Sequence, residues 1–172
     1  FDTNLQYGLN NFLTKKEFID STQILYFFEK FTKCLGKTIL PFNALSRSLI
    51  SYRFIKQNFK KKIKILELGP GSGLLGILLL KNEYNYDSFD VSKSFHIYQK
   101  ILFQTFLKFK KIKNNTKNLE WWTILKKPEI LKRYDLIIAN HMLNEMHANS
   151  LKFILSNINK NSTIFFEGAG YN

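Results

Sequence analysis

Few folds accommodate a chain that sets three glycines at alternate positions between two apolar runs. Here that stretch reads Ile65-Leu66-Glu67-Leu68-Gly69-Pro70-Gly71-Ser72-Gly73-Leu74-Leu75-Gly76. The run from Ile63 to Leu68 is short and β-like, so it predicts a strand. The glycines make a tight turn, where the backbone needs left-handed torsions or close approach. Leu74 to Leu80 is apolar on every side, which predicts a helix start packed against a sheet. A glycine loop between a strand and a helix amino terminus gathers free N–H groups at the positive end of the helix dipole. Such a corner suits a nucleotide-like ligand.

Two registers of this loop point to different ligands. Gly71-Ser72-Gly73-Leu74-Leu75-Gly76 fits the G-x-G-x-x-G pattern of dinucleotide binding. That register leaves Gly69 and Pro70 in the strand end, where proline cannot donate to the ladder. Starting the loop at Gly69 instead sets Glu67 at the carboxyl end of the strand. In that register Glu67-Leu68-Gly69-Pro70-Gly71-Ser72-Gly73 resembles motif I of the class I S-adenosylmethionine-dependent methyltransferases, an acidic residue followed by Gly-x-Gly-x-Gly. A carboxylate beside the loop suits a ligand carrying an ammonium and a sulfonium, and would repel a diphosphate.

The resemblance implies an α/β fold: a doubly wound, mostly parallel sheet of strand order 3-2-1-4-5. S-adenosyl-L-methionine is the implied cofactor, with Glu67, Gly69, Gly71 and Gly73 as its first contacts. The family's sheet continues with a helix and a terminal hairpin, which this chain lacks after Glu167-Gly168-Ala169-Gly170. The core is therefore expected to be incomplete at its carboxyl end.

Amino-terminal to the core, Thr14 to Leu35 predicts a helix with Phe18, Leu25, Phe28 and Leu35 in a stripe ended by Gly36. After Pro41, the stripe Leu45, Leu49, Tyr52, Ile55 and Phe59 predicts a second helix. Residues 1–62 are thus expected to form a helical cap and 63–172 the Rossmann-like core, in one structural unit.

Tyr86 to Val91 predicts the second strand, with Asp90 at its tip. A carboxylate there, about twenty residues past the glycines, is placed to accept both ribose hydroxyls of a nucleoside. Its alternative is a cap for the next helix, given Ser92. That helix, Ser94 to Lys110, is expected to turn Phe95, Ile97, Ile101, Leu102, Thr105, Phe106 and Phe109 inward, with His96 at the surface. Asn118 to Thr123 predicts a third strand, whose alternation sets Trp121 and Trp122 on opposite faces. One of them, Trp121, is then a candidate to stack near the adenine, with core filling as its alternative. The family's acidic residue at this strand end has no clear counterpart, because Glu120 precedes the tryptophans and Thr123 follows them.

Tyr134 to Asn140 predicts the fourth strand, and its polar tip Asn140 resembles motif IV, which implies a cofactor contact. His141-Met142-Leu143-Asn144-Glu145-Met146-His147 follows at the carboxyl end of a central strand, where open α/β sheets place their chemistry. His141, Glu145 and His147 are therefore the candidate catalytic residues, and an imidazole is the side chain able to take a proton near neutrality unaided. They lack a clean metal-ligand spacing, so no metal is expected. Ser150 to Asn159 predicts a helix and Ser162 to Glu167 a fifth strand.

Amino-methylating enzymes of bases carry Asn/Asp-Pro-Pro-aromatic after the fourth strand, whereas this chain has Asn140-His141-Met142-Leu143. Pyrimidine carbon methylation needs a cysteine near that strand, and the single cysteine is Cys34. The region 63–170 also resembles a group of bacterial sugar O-methyltransferases. That likeness implies transfer to a hydroxyl of a sugar or other small metabolite. Two other classes stay open: an NAD-binding oxidoreductase on the same scaffold, and an RNA-binding protein or RNA methyltransferase using a basic surface.

Charge bears on that last class. The chain has 26 Lys and Arg against 13 Asp and Glu, a net charge of +13, yet only Arg47, Arg53 and Arg133 are arginines. Nucleic-acid binders favour the bidentate arginine fork. The runs Lys60-Lys61-Lys62 and Lys108 to Lys113 therefore read first as solvated faces, and nucleic acid is the less favoured partner. One cysteine fits a reducing, cytoplasmic setting, no export leader is visible, and no apolar run is long enough for a membrane span. Composition leaves the oligomeric state open.

Overall fold

The computed structural model describes residues 12–140 and 142–167, and only the backbone of Asn144. The chain divides into two compact units, one up to Ser46 and one from Arg47 onward. This boundary lies earlier than the one after residue 62 that the sequence suggests.

In the first unit, helix α1 spans Lys15–Cys34. Thr14 and Glu17 form a capping box: the Glu17 N–H donates to Thr14 Oγ1 at 3.3 Å and the Thr14 N–H to Glu17 Oε2 at 2.9 Å. The Thr32 hydroxyl donates to Phe28 O and accepts from the Ile39 N–H at 2.8 Å, tying the exit segment back to the helix. The buried stripe is Ser21, Ile24, Phe27, Phe28, Phe31 and Thr32, rotated from the expected one, and Phe18 and Leu35 are exposed. Apolar residues sit on more than one side of this helix, so spacing alone allowed two stripes. Helix α2, Phe42–Asn58, buries Leu45, Leu49, Tyr52 and Ile55 as expected.

The second unit is a sheet wound with helices. Strand β1 (Lys64–Leu68) leads through the glycine loop into α3 (Leu74–Lys81), and β2 (Asn85–Phe89) into α4 (Lys93–Lys110). Next come a short β3 (Asn118–Leu119), α5 (Trp121–Lys126), a 3-10 turn over Pro128–Arg133 and β4 (Leu136–Asn140). Another 3-10 turn (Met142–Asn144), α6 (Ala148–Asn157) and β5 (Thr163–Glu167) complete the described chain. All described pairings are parallel and the order is β3-β2-β1-β4-β5, as the resemblance implied. Each β-to-β link passes through helix or turn, as parallel neighbours require.

Because strand side chains alternate, β1 serves two cores. Leu66 and Leu68 join Phe89, Ile137, Ala139, Ile124, Leu131 and Ile154 in one cluster. Tyr86 meets Phe103 of α4 edge-on at 5.5 Å. Helix α3 is buried along Leu74–Leu80, which accounts for its lack of a polar face. Its amino cap, Gly73, has φ of 77°, and a Cβ built there would lie 2.6 Å from Leu102 Cδ2. Only glycine lets the loop turn that tightly against α4.

Two buried carboxylates pin the strands. Asp87 accepts from the Lys117 N–H at 2.7 Å and from Tyr134 Oη at 2.8 Å, and Lys64 Nζ lies 3.6 Å away. Glu67 accepts from Tyr86 Oη at 2.7 Å. Among the described residues, no helix is long and apolar enough to cross a membrane.

Two expectations are corrected here. The third strand stops at Leu119, and Trp121 and Trp122 lie in α5, whose start is closed by Thr123 and Ile124 N–H donations to Glu120 O. Aromatic residues favour strands, but this backbone bonding locally overrides that propensity. In α4 the buried face is His96, Gln99, Leu102, Phe103, Phe106 and Leu107, whereas Phe95, Ile97, Ile101 and Phe109 are exposed. Two polar residues on the inward face have partners waiting there, which hydrophobic spacing could not reveal.

Candidate functional site

At the carboxyl ends of β1, β2 and β4 lies a cleft of about 350 Å³. The glycine loop forms its floor, and the segment after β2 gives one wall through Asp90, Val91, Ser92 and Phe95. Asn140, Met142, Glu145 and Met146 form the other wall. Val91 and Phe95 are 55% and 50% exposed and offer an apolar surface for a flat ring.

Asp90 is buried and preset. Its Oδ1 accepts from the Ser92 N–H at 2.9 Å and its Oδ2 from Gln99 Nε2 at 2.9 Å. The same Gln99 amide reaches Gly71 O at 3.3 Å, so one side chain fixes the carboxylate relative to the loop. Gln99 was missed in the sequence; its signal is a polar residue on the buried face of a helix.

Asn140 donates from Nδ2 to Ser51 Oγ at 3.1 Å, while its buried Oδ1 has no protein partner. Whichever amide end faces the serine hydroxyl, the other end is left over. A buried polar atom without a partner is costly unless a ligand answers it. At Gly69 (φ 64°) a Cβ would fall 2.5 Å from Met142 Sδ, so glycine is what lets the floor and the Met142 wall approach.

Other candidates lie elsewhere. Glu67 is 4% exposed and turns to Tyr86 instead of lining the cleft. Burial pushes its carboxyl up to about 7, and the Tyr86 hydrogen bond only partly opposes this. Trp121 packs on Phe89 at 5.4 Å and Phe153 at 6.1 Å, in the core cluster and away from the cleft lining. Trp122 is 68% exposed. His147 caps α6, its Nδ1 accepting from the Asn149 N–H at 3.2 Å. Glu145 is exposed on the cleft rim. His141 lies outside the described residues. The described residues contain no cluster of His, Cys, Asp or Glu able to hold a metal ion.

His96, expected at the surface, is 5% exposed, and its Nε2 lies 3.1 Å from Glu120 Oε1. Lys93 Nζ shares that oxygen at 3.0 Å and holds the Glu120 carboxyl below its ordinary range. Glu120 is thus anchored beside the segment bearing Ser92 and Phe95.

The raised Glu67 value has a measurable consequence. Between pH 4.5 and about 7 the unfolded chain gives up this proton while the folded chain keeps it. Stability therefore falls as pH rises through that window, by roughly 2 to 3 kcal/mol from this group. Glu67→Gln should remove the dependence, so urea unfolding will show the variant gaining on the parent from about pH 5 to about pH 8. A constant difference between the two proteins would show that Glu67 does not titrate there.

The glycine loop, the carboxylate after β2 and the 3-2-1-4-5 sheet together define the fold of class I S-adenosylmethionine-dependent methyltransferases. The family described as lysine methyltransferase matches residues 20–167, and the chain belongs to that family. No curated protein matches the chain significantly.

Solved structures agree on the fold. A coclaurine N-methyltransferase bound to N-methylheliamine and S-adenosylhomocysteine has a TM-score of 0.52 at 18% identity, over 77% of this chain and 37% of that one. A protein of Pyrococcus horikoshii has a TM-score of 0.52 at 16% identity, over 70% and 56%. The methyltransferase domain of bacterial CtHen1-CN has a TM-score of 0.51 at 17% identity, over 70% and 63%. The chain therefore spans 37% to 63% of the length of these three structures.

Proposed function

We propose that this chain binds S-adenosylmethionine in the cleft and methylates an amine nitrogen of lysine type. The observation that carries the reading is the convergence of the glycine floor, the preset Asp90 and the unpartnered Asn140 amide end around one cleft. Asp90 would accept the ribose hydroxyls, Val91 and Phe95 would wall the adenine, and Asn140 Oδ1 would accept from the methionine ammonium. Bound there, the cofactor would supply a sulfonium methyl that an acceptor lone pair can displace in line. Glu145, on the rim, would draw in a cationic acceptor, which gives up its proton to solvent before its lone pair attacks.

A hydroxyl acceptor, such as a sugar, was the expectation from sequence, with His141 or His147 as its base. His147 spends Nδ1 on its helix cap and lies off the cleft lining, which leaves that reading to His141 alone. The amine reading needs no imidazole and accords with the family's description.

Three measurements test this. Calorimetry should show S-adenosylhomocysteine binding with little or no affinity for NAD, and tighter NAD binding would overturn the cofactor assignment. With radiolabelled donor, lysine-bearing peptides should yield acid-stable methyllysine, whereas label appearing in glycosides would establish hydroxyl transfer instead. Glu145→Gln should raise KM for a cationic peptide about three- to fivefold with kcat little changed, the scale of one exposed charge pair. An unchanged KM would remove Glu145 from acceptor binding.

A further inference from the structure

The opposite end of the same sheet carries a second concave feature. Where β2 begins and α4 ends, a groove of about 1010 Å³ is lined by Lys110, Lys111, Lys113, Asn85, Asn114 and Asn115, with Glu83 and Ile112. Asn85 Nδ2 donates to Lys62 O at 3.4 Å, which sets the exposed run Lys60-Lys61-Lys62 along the adjoining edge. Asn114 Nδ2 donates to Tyr84 O at 3.1 Å and ties the other side to β2. The groove is thus a built shape lined by three lysines, with a further run of three joined to it through the Lys62 carbonyl. No carboxylate pairs with Lys110, Lys111 or Lys113 among the described residues.

Three observations separate it from a merely solvated face. The carboxyl end of α4 carries about half a negative charge, which a single lysine offsets, so the helix dipole accounts for little of the excess. Lys111 holds φ of 54° at the helix exit, and the next residue, Ile112, donates its N–H to Leu107 O at 3.0 Å. Glycine would relax that corner, so a lysine side chain stands there against backbone preference. Glu83, φ 63°, holds the second such corner in the same groove. Finally, the lining is polar except for Ile112.

We propose that this groove docks the phosphodiester backbone of a nucleic acid, independently of sequence and on the end of the sheet away from the cofactor cleft. An acidic protein is the less suitable occupant, because protein interfaces need an apolar or aromatic anchor that this groove does not offer. Phosphate contacts are made by lysine and asparagine side chains without such a core. Lysines act as point charges, so binding should be salt-sensitive and indifferent to base identity.

The test is fluorescence anisotropy of the whole chain with 20-bp RNA and DNA duplexes across 50 to 200 mM salt. Lys110→Gln/Lys111→Gln/Lys113→Gln should weaken binding at least tenfold and lower the log–log salt slope by roughly two to three, at about 0.9 per lost phosphate contact. Lys60→Gln/Lys61→Gln/Lys62→Gln reads the adjoining edge independently, should one variant fold poorly. Lys126→Gln/Lys127→Gln/Lys152→Gln makes the same charge change elsewhere and should have a much smaller effect. RNA bound more tightly than DNA, or the reverse, would name the source while supporting the site. Equal losses in all three variants, no binding by the parent chain, or tighter binding of poly-glutamate than of either duplex would overturn it.

Discussion

Gly73→Val will cost the folded chain about 4 kcal/mol, combining the strain of a left-handed, β-branched residue with an overpacked core. The added Cβ would lie 2.6 Å from Leu102 Cδ2 and 3.2 Å from the Phe103 ring, both on the buried face of α4. Neither neighbour can swing aside, since both are buried and Phe103 also packs on Tyr86 at 5.5 Å. Urea unfolding will show a lower midpoint at an unchanged slope, and at 37 °C much of the variant will be unfolded. A loss under 1 kcal/mol would mean that α4 does not pack against the loop as closely as described. Gly71→Ala is the useful contrast: its φ is also positive, at 52°, but a Cβ there meets nothing within 4 Å. Only the torsional part of the penalty should remain.

Asp90→Ala will weaken S-adenosylhomocysteine binding roughly 300-fold, the combined scale of two charge-assisted hydrogen bonds to ribose hydroxyls. The effect is large because the carboxylate is held before any ligand arrives: Ser92 and Gln99 each contribute a bond at 2.9 Å. Asp90→Asn should fall between, keeping one acceptor while its amide N–H faces the Gln99 amide. Titration calorimetry measures both, and circular dichroism confirms that the fold persists. Binding within threefold of the parent chain would remove Asp90 from ribose recognition.

Much of the sheet was legible in the sequence because its signals are local. A short apolar run, alternate glycines and an all-apolar helix start leave one arrangement, and the spacing to Asp90 adds the second strand. The order 3-2-1-4-5 came from the resemblance to a family, since pairing between strands distant in sequence leaves no local trace. Faces of helices were harder to read. Helix α4 has apolar residues on nearly every side, and the decision to bury His96 and Gln99 is made by Glu120 and Asp90, which lie outside the helix.

The candidate site divides in the same way. Asp90 was read from its position at a strand tip, Gly69, Gly71 and Asn140 from the resemblance, and the cleft brings them together. Gly73 lies behind it, at the cap of α3, and Glu67 looks like a ligand residue in sequence but is satisfied by a tyrosine hydroxyl within the core. Trp121 was expected within the third strand, and a helix start placed it among apolar side chains instead. A distant hydrogen bond decided Glu67, a close approach of α4 decided Gly73 and local backbone bonding decided Trp121, and no periodicity encodes any of these.

The anchoring of Asp87 bears on how the sheet can fail. One carboxylate answers to the lysine that opens β1, to the tyrosine before β4 and to the amide that leads into β3. Each strand that peels away takes one of those partners from a buried negative charge. That shared anchor opposes the half-open forms whose bare margins let one copy zip onto the next.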